Sequence, residues 1–292
     1  MMFNKICIIG VGLIGGSIAL AARKNNLCSN IVGYGRAGSK DNLIYAQTNG
    51  IIDSYYFELE TAVQDADCII IATPVGVTEA VLAQLKSCWS DTAVYTDVGS
   101  TKASVVAAAE KVFGFIPENF VPAHPIAGAE QSGAQAAISD LFKDKRLIIT
   151  PTKVTLAESL SLVQDFWQAL GASVSIMGIE HHDAVLAATS HLPHVLAFAL
   201  VDLLAKKDEQ DEIFKYAAGG FKDFTRIASS DPGMWLDICL ANKNEIVKLI
   251  HQLQGEMESI AQLLEKNDSQ QLFDIFSNAK NARQRFLNFY EK

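Results

Sequence analysis

The chain has few of the features that mark secreted, metal-binding or membrane proteins. Its five cysteines are widely spaced and form no CxxC pair, which argues against a disulfide framework or a zinc cluster. No apolar run approaches the roughly 18 residues that a transmembrane helix needs. Met1 leads within a few residues into the first predicted strand and leaves no room for a signal peptide. We therefore expect a soluble, cytoplasmic protein that does not contact a membrane.

Positive charge is also scarce. The 24 lysines and arginines are outnumbered by 33 aspartates and glutamates, and the net charge is −9, which argues against a nucleic-acid partner. A small acidic substrate is still compatible, because it responds to the charge of its own pocket. With 292 residues, 49% of them hydrophobic, the chain is long enough for one large or two ordinary domains.

A glycine-rich turn near the N-terminus gives the first positive signal. The apolar run Ile6–Ile9 leads into a GxGxxG pattern, and a helix-compatible segment follows at once. In this pattern the first glycine permits a tight turn, the second lets backbone approach a pyrophosphate, and the third lets the helix pack on the strand. A structural turn of another α/β protein is the alternative interpretation. The residues predicted to bind the cofactor here are Gly10, Gly12, Leu13, Ile14 and Gly15.

The segment after the second predicted strand, 31–34, lacks the acidic residue that an NAD site usually carries there. No carboxylate occurs between Gly10 and Lys40, and Gly35 occupies the position where the acid is expected. Arg36 follows directly, and its guanidinium suits the 2′-phosphate of NADP. We therefore favour NADP, with NAD possible, and predict Arg36 and Ser39 as contacts. A solvated turn arginine is the alternative.

Apolar strands and helices alternate through the first 178 residues. Strands are predicted at 68–73, 93–96, 120–123, 147–150 and 173–177. Fully apolar strands separated by helices indicate a parallel sheet that is covered on both faces, with ligands beyond the strand C-termini. Thr73 and Pro74 are thereby predicted at the cofactor site, and Ser100 and His124 on loops that follow neighbouring strands.

From Glu180 onward, long helical patterns replace the alternation. Helices are predicted at 183–205, 209–218, 235–265 and 270–290. The predicted fold is thus α/β, with a Rossmann-like, mostly parallel sheet in residues 1–178 and an all-helical dimerisation domain in residues 179–292. The broad apolar face of the segment 235–265 favours a homodimer formed through this domain, although burial within one subunit would also explain it.

Histidines supply the candidate chemistry. His124 has an ordinary pKa range that suits an acceptor for a hydroxyl proton, and Ser100 is placed to bond its imidazole and fix the tautomer. His191 and His194 flank a proline, but no third ligand with convincing spacing accompanies them, so no metal is expected. We interpret His181, His182 and His251 as helix-surface residues.

Arg226 lies in a break rich in glycine and aromatic residues. Such a setting suits a bidentate contact with a carboxylate. An ion pair with Asp223, three residues earlier, is an equally simple interpretation.

Five motifs taken together resemble the prephenate/arogenate (cyclohexadienyl) dehydrogenase family of tyrosine biosynthesis. The glycine turn occurs in many nucleotide-binding proteins, but the occurrence of the other four motifs in this order is specific for the family. The motifs are GVGLIGGS at 10–17, DVGSTK at 97–102, HPIAGAEQSG at 124–133, SHLPH at 190–194 and GGFKDFTRIASSDPGMW at 219–235.

The resemblance implies an NAD(P)-dependent oxidative decarboxylation of prephenate, arogenate or both. It implies that His124 accepts the hydrogen bond of the substrate hydroxyl, that Ser100 orients both groups, and that Arg226 binds a substrate carboxylate. His191 and His194 match cleft residues, and Glu130 is a candidate for substrate selection. Two alternatives remain, namely another two-domain NADP enzyme of the β-hydroxyacid dehydrogenase or imine reductase type, and a non-catalytic cofactor-sensing dimer.

Overall fold

The N-terminal part of the chain folds around a six-stranded parallel sheet in the computed structural model, which describes residues 1–129 and 131–290. Its strands are β1 (Phe3–Ile9), β2 (Cys28–Tyr34), β3 (Ser54–Tyr56), β4 (Cys68–Ile71), β5 (Val94–Asp97) and β6 (Phe120–Val121). They are ordered β3-β2-β1-β4-β5-β6, and every neighbouring pair is parallel. The predicted Rossmann-like sheet is confirmed.

Helices cover both faces of this sheet. They are α1 (Leu13–Lys24), α2 (Lys40–Thr48), α3 (Leu59–Val63), α4 (Thr78–Leu85), α5 (Ala103–Phe113) and α6 (Ala157–Ala169). Because side chains alternate across a strand, β1 contributes Ile6 and Ile8 to one apolar core and Cys7 and Ile9 to the other. This two-sided burial explains why the strands are apolar throughout.

A second sheet of three strands corrects the predicted topology. Its strands are β7 (Ala123–Pro125), β8 (Arg146–Ile149) and β9 (Ser173–Ile176), with β7 antiparallel to β8 and β8 parallel to β9. The strand predicted at 120–123 is therefore two strands in different sheets, separated by Pro122, which has no N–H to donate to a ladder. The strand predicted at 147–150 belongs to the second sheet, and His124 lies within β7 rather than on a loop.

The C-terminal part of the described chain is helical, as predicted. The helices are α7 (Ile179–Leu186), α8 (Leu192–Ala205), α9 (Gln210–Lys215), α10 (Gly219–Thr225), α11 (Pro232–Ala241), α12 (Lys243–Glu265) and α13 (Ser269–Tyr290). The chain divides into two compact units, residues 1–243 and 244–292. The predicted domain boundary after residue 178 falls between β9 and α7 and stays a prediction.

Two of the predicted helices are interrupted. The segment 183–205 contains a π-helical turn, Ala187–His191, just before Pro193. Because proline cannot donate to the carbonyl one turn back, a widened turn at this place lets the two helices join. The segment 235–265 is divided at Asn242, where α11 ends and α12 begins.

Of the described residues, one helical segment is long and apolar enough to cross a membrane, namely Ile179–Ala205 with its π-helical turn. The expectation that no segment approaches this length was wrong, because it counted only uninterrupted apolar runs. Only 22% of the most apolar part is buried within the chain. The buried polar residues His182 and Asp183 nevertheless bond this segment to β7 and to the start of α5.

Candidate active site

The glycine turn after β1 leaves room for an anion at one position. Gly10 has φ +97°, and a Cβ added there would lie 2.7 Å from the carbonyl oxygen of Ala72. A Cβ on Gly15 would lie 2.2 Å from the carbonyl oxygen of Gly10, whereas a Cβ on Gly12 would meet no atom of the described chain within 4 Å. Gly10 and Gly15 therefore serve packing, and Gly12 borders open space.

The first turn of α1 faces this open space. Leu13 and Ile14 begin the helix, Gly12 offers no capping side chain, and no acid lies in the first turn. The first N–H groups of a helix lack intrahelical acceptors and favour negative charge. This arrangement fits a pyrophosphate.

The ends of β1 and β4 form the side of the crevice beside the glycine turn. The strand order reverses at this pair of strands, which is where open α/β sheets bind ligands. Thr73 follows β4, and its Oγ1 atom is buried without a hydrogen-bond partner in the described part of the chain. Pro74, next to it, is exposed. The unpartnered hydroxyl and the open position at Gly12 both fit a bound dinucleotide.

Arg36 lies at the same end of the sheet, since β2 ends at Tyr34 beside Ile9 of β1. Its side chain is exposed, and its carbonyl accepts hydrogen bonds from Ser39 N at 2.8 Å and Ser39 Oγ at 2.9 Å. A Cβ on Gly35 would lie 3.0 Å from Leu43 and 3.2 Å from Ser39 Oγ. This crowding disfavours an acidic side chain at the position that selects NAD.

His124 is the buried base candidate. Its Nδ1 atom lies 2.9 Å from Nε2 of His182. Burial, with smaller contributions from Lys102 and His191, lowers the pKa of His124 well below its ordinary value. His124 is therefore neutral at neutral pH, and its Nε2 atom is the ring nitrogen left for a substrate.

His182 was interpreted as a surface residue, and this was wrong, since its side chain is fully buried. Its Nδ1 atom lies 2.8 Å from Oδ1 of Asp183, so that Asp183, His182 and His124 form a continuous hydrogen-bonded chain. The signal that would have found it is the spacing with Leu186, which places His182 on the buried face of α7.

An ion pair between Asp97 and Lys102 holds the residue before His124. The two side chains are 2% and 0% exposed. Lys102 Nζ donates to Asp97 and, at 2.7 Å, to the carbonyl of Ala123, while Asp97 Oδ1 accepts from Ala123 N at 3.2 Å. Burial lowers the pKa of Lys102, and the charge of Asp97 opposes this. The DVGSTK motif thus fixes both backbone groups of Ala123, a role that sequence reasoning missed.

Ser100 lies on the loop between β5 and α5 and is half-buried. No hydrogen bond joins its hydroxyl to His124 within residues 1–129 and 131–290, and the Nδ1 partner of that ring is His182. Among the described residues, His182 and not Ser100 is therefore the side chain that bonds to the imidazole. A contact between Ser100 and a substrate hydroxyl stays a prediction.

His191 and His194 lie near each other at the start of α8. His191 is buried, which lowers its pKa to about 4, and its Nδ1 atom lies 3.1 Å from Nδ2 of Asn242. His194 Nδ1 donates to the carbonyl of Ser190 at 2.8 Å, and its ring stacks on Trp235 at 3.7 Å. Both histidines are thus fixed by neighbours, and sequence reasoning missed the roles of Asn242 and Trp235.

Arg226 begins the turn after α10 and is exposed. Burial is the main cause of the lowered pKa of His194, and the positive charge of Arg226 lowers it further. The guanidinium therefore lies near that ring. Glu130, the other candidate for substrate contact, lies outside the described residues. The structure therefore groups His191, His194 and Arg226, and Asn242 links this group to the chain of His124, His182 and Asp183, because it contacts His191 and donates to the carbonyl of Asp183 at 2.8 Å.

A glycine-lined crevice at the switch point of a parallel sheet, with a buried neutral histidine on the adjoining sheet, defines a nucleotide-dependent oxidoreductase. Two family models match this chain. The model of the prephenate dehydrogenase nucleotide-binding domain matches residues 18–176, and that of the prephenate dehydrogenase dimerization domain matches residues 179–278. The chain belongs to the prephenate dehydrogenase family.

Individual relatives agree over almost the whole chain. It is 32% identical to cyclohexadienyl dehydrogenase of Zymomonas mobilis, covering 97% of this chain and 96% of the relative. It is 37% identical to prephenate dehydrogenase of Bacillus subtilis, covering 97% and 76%. The crystal structure of prephenate dehydrogenase from Aquifex aeolicus with hydroxyphenyl propionate and NAD+ has a TM-score of 0.89 and 36% identity, covering 97% of this chain and 98% of that one. The alternatives of another enzyme type or a non-catalytic sensor are therefore wrong.

Proposed function

We propose that this enzyme catalyses the oxidative decarboxylation of prephenate, arogenate or both, giving 4-hydroxyphenylpyruvate or tyrosine respectively, in tyrosine biosynthesis. The observation that carries the proposal is His124, a buried neutral base beside the cofactor crevice of a prephenate dehydrogenase fold. A base that is neutral at working pH is able to accept a hydroxyl proton during oxidation.

A bound nicotinamide ring supplies the hydride acceptor. His124 Nε2 accepts the hydrogen bond of the ring hydroxyl and takes its proton as the hydride leaves the same ring carbon, so that the oxygen becomes a carbonyl without building up positive charge. Loss of the ring carboxylate as carbon dioxide makes the ring aromatic, and His124 returns the proton to the phenol oxygen. General base assistance of this kind contributes about 10²- to 10⁴-fold in rate.

We assign the remaining substrate contacts to the group around α8. Arg226 binds a carboxylate, since its planar guanidinium suits two parallel hydrogen bonds. His191 and His194 line the cleft, and neither carries a charge at neutral pH because burial lowers the pKa of each. Glu130 is our candidate for discriminating between the pyruvyl and alanyl side chains, and Ser100 for a contact with the ring hydroxyl.

The assay of the proposed function follows the absorbance of the reduced nicotinamide, with prephenate and with arogenate, each with NAD and NADP. Turnover of at least one of these substrates supports the proposal. An enzyme that binds nucleotide but turns over neither substrate with either cofactor would refute it.

We propose NADP as the preferred cofactor, with NAD also accepted. Two observations support this preference. A side chain at residue 35, where an NAD site usually carries an acid, would be crowded by Leu43 and Ser39, and the neighbouring Arg36 is exposed. We expect Arg36→Ala to raise KM for NADP about 10- to 100-fold, the equivalent of one charge-assisted hydrogen bond, and to leave KM for NAD within about twofold. Lys111→Ala, an exposed cation in the last turn of α5, is the control. An equal effect on both cofactors would contradict the assignment.

The glycine turn offers a matched pair of variants. Gly12→Ala adds a Cβ that meets no described atom within 4 Å, so we expect unfolding free energy within about 1 kcal/mol of wild type and weaker nucleotide binding. Gly15→Ala forces a Cβ to 2.2 Å from backbone, so we expect loss of folded protein. Urea unfolding and titration with nucleotide measure the two effects. Unchanged nucleotide affinity in Gly12→Ala would show that the pyrophosphate lies elsewhere.

We further propose a cytoplasmic homodimer formed through a helical domain at residues 179–292, with residues 1–178 binding the cofactor. The matching dimerization model covers residues 179–278. We assign the apolar surface of Ile179–Ala205 to the subunit partner rather than to a membrane, and expect no nucleic-acid partner given the net charge of −9. The large exposed apolar side chains in the helical part include Leu203, Leu236, Leu240, Phe273 and Phe276.

A further inference from the structure

The hydrogen-bonded chain behind His124 has a direction. Asp183 Oδ1 lies 2.8 Å from His182 Nδ1, and His182 Nε2 lies 2.9 Å from His124 Nδ1. We propose that His182 and Asp183 are positioning residues that hold His124 in the tautomer with the proton on Nδ1, so that Nε2 is always the acceptor. This inference rests on the proposed role of His124 as the base.

The direction follows from Asp183. Its two carboxylate oxygens also accept hydrogen bonds from the backbone N–H groups of Lys102 at 2.8 Å and Ala103 at 2.9 Å. Burial alone would raise the pKa of Asp183, but the hydrogen bonds from His182 and these two N–H groups outweigh it and lower the pKa. Asp183 is therefore ionised and is a pure acceptor.

An acceptor at Asp183 fixes both rings when they are neutral. His182 must carry its proton on Nδ1 to donate to the carboxylate, which leaves Nε2 with a lone pair. His124 must then carry its proton on Nδ1 to donate to that lone pair, which leaves its own Nε2 as an acceptor. The opposite tautomer of His182 would set a lone pair against a carboxylate oxygen in a buried site.

The same chain stabilises the state that follows proton uptake. When Nε2 of His124 takes the hydroxyl proton, the ring becomes an imidazolium whose Nδ1–H still points at His182. Other charges around His124 are unfavourable to it, since Lys102 and His191 both disfavour its protonation. The carboxylate of Asp183 stabilises this cation through the hydrogen bonds of His182. The carboxylate of Asp97 does not take this role, because it forms an ion pair with Lys102.

The test replaces His182 by glutamine, whose side-chain amide is able either to donate to or accept from His124 Nδ1 and therefore no longer selects one tautomer. We expect kcat to fall at least tenfold, with KM for substrate and nucleotide within about twofold. The loss cannot exceed that of His124→Asn, which removes the base itself and its roughly 10²- to 10⁴-fold contribution. His181→Asn, at the exposed preceding position, is the matched control and should retain wild-type kcat.

A double-mutant cycle separates positioning from general structural damage. If His182 acts only through His124, the double variant His124→Asn/His182→Gln has the kcat of His124→Asn alone. Losses that multiply would overturn the inference, as would an unchanged kcat in His182→Gln. Asp183→Asn supplies a second variant, although it also alters the bonds to Lys102 N and Ala103 N.

The pH dependence gives an independent readout. Because the chain stabilises the protonated ring, breaking it in His182→Gln should lower the pKa of His124 and move the acidic limb of kcat/KM to lower pH. An acidic limb that stays in place in His182→Gln would count against the coupling. If wild type turns over no substrate, the proposed function has failed; if wild type is active and His124→Asn is impaired while His182→Gln is not, only the present inference has failed.

Discussion

Replacing His124 by alanine is expected to lower kcat by about 10²- to 10⁴-fold, the range of general base contributions. The residue is buried and neutral, and its Nε2 atom is the acceptor left after Nδ1 bonds to His182. Because alanine supplies no acceptor, the hydroxyl proton has no protein group to take it as the hydride leaves the ring carbon. Steady-state kinetics with saturating cofactor measures the loss.

The control for this variant is His251→Ala. His251 is exposed on α12 and bonds only to Gln254 at 3.0 Å among the described side chains, so kcat should equal that of wild type. Titration with nucleotide confirms that the crevice is intact in His124→Ala. Retention of more than a tenth of wild-type kcat by a folded His124→Ala enzyme would contradict the mechanism.

Replacing Lys102 by methionine is expected to destabilise the protein by about 3–5 kcal/mol, the usual cost of removing one partner from a buried ion pair. Asp97 would be left as a buried carboxylate opposite an apolar side chain, and the carbonyl of Ala123 would lose its donor. Urea unfolding of wild type and variant at one protein concentration measures the difference in free energy of unfolding.

An exposed ion pair provides the comparison. Lys111 and Glu79 approach to 2.7 Å with side chains 70% and 50% exposed, and such pairs contribute about 0–1 kcal/mol. Lys111→Met should therefore unfold close to wild type. The double variant Asp97→Asn/Lys102→Met should recover part of the loss, because it no longer buries an unpaired charge. A loss below about 1 kcal/mol for Lys102→Met alone would mean that water reaches Asp97.

Features set by local chemistry could be predicted from the sequence. The spacing of the glycines reflects three local requirements within six residues of the end of β1. Gly10 makes the tight turn, Gly12 leaves space for a ligand to approach the backbone, and Gly15 lets α1 pack on the turn. The apolar runs of the parallel strands also follow from burial on both faces. These are properties that a short window of residues contains.

Features set by distant contacts could not be predicted in this way. Pro122 reads as part of a strand, yet the chain leaves one sheet for another there, and the register of β7 depends on β8 some 20 residues later. His182 looks polar and exposed in sequence, but its burial follows from His124, which is 58 positions away. The side chain of Asn242, just after α11, bonds to the carbonyl of Asp183 and contacts His191, and these residues are 59 and 51 positions away.

The hydrogen bonds from Lys102 N and Ala103 N to Asp183 have a consequence for how this position can vary. A carboxylate on α7 acts as the N-terminal cap of α5 while its Oδ1 atom orients His182. One anion therefore supports both a helix terminus and the protonation pattern of the proposed base. A substitution at residue 183 would therefore affect both the stability of α5 and the turnover of substrate. A lineage that altered the acid–base chemistry of this enzyme would first have to supply α5 with a different cap.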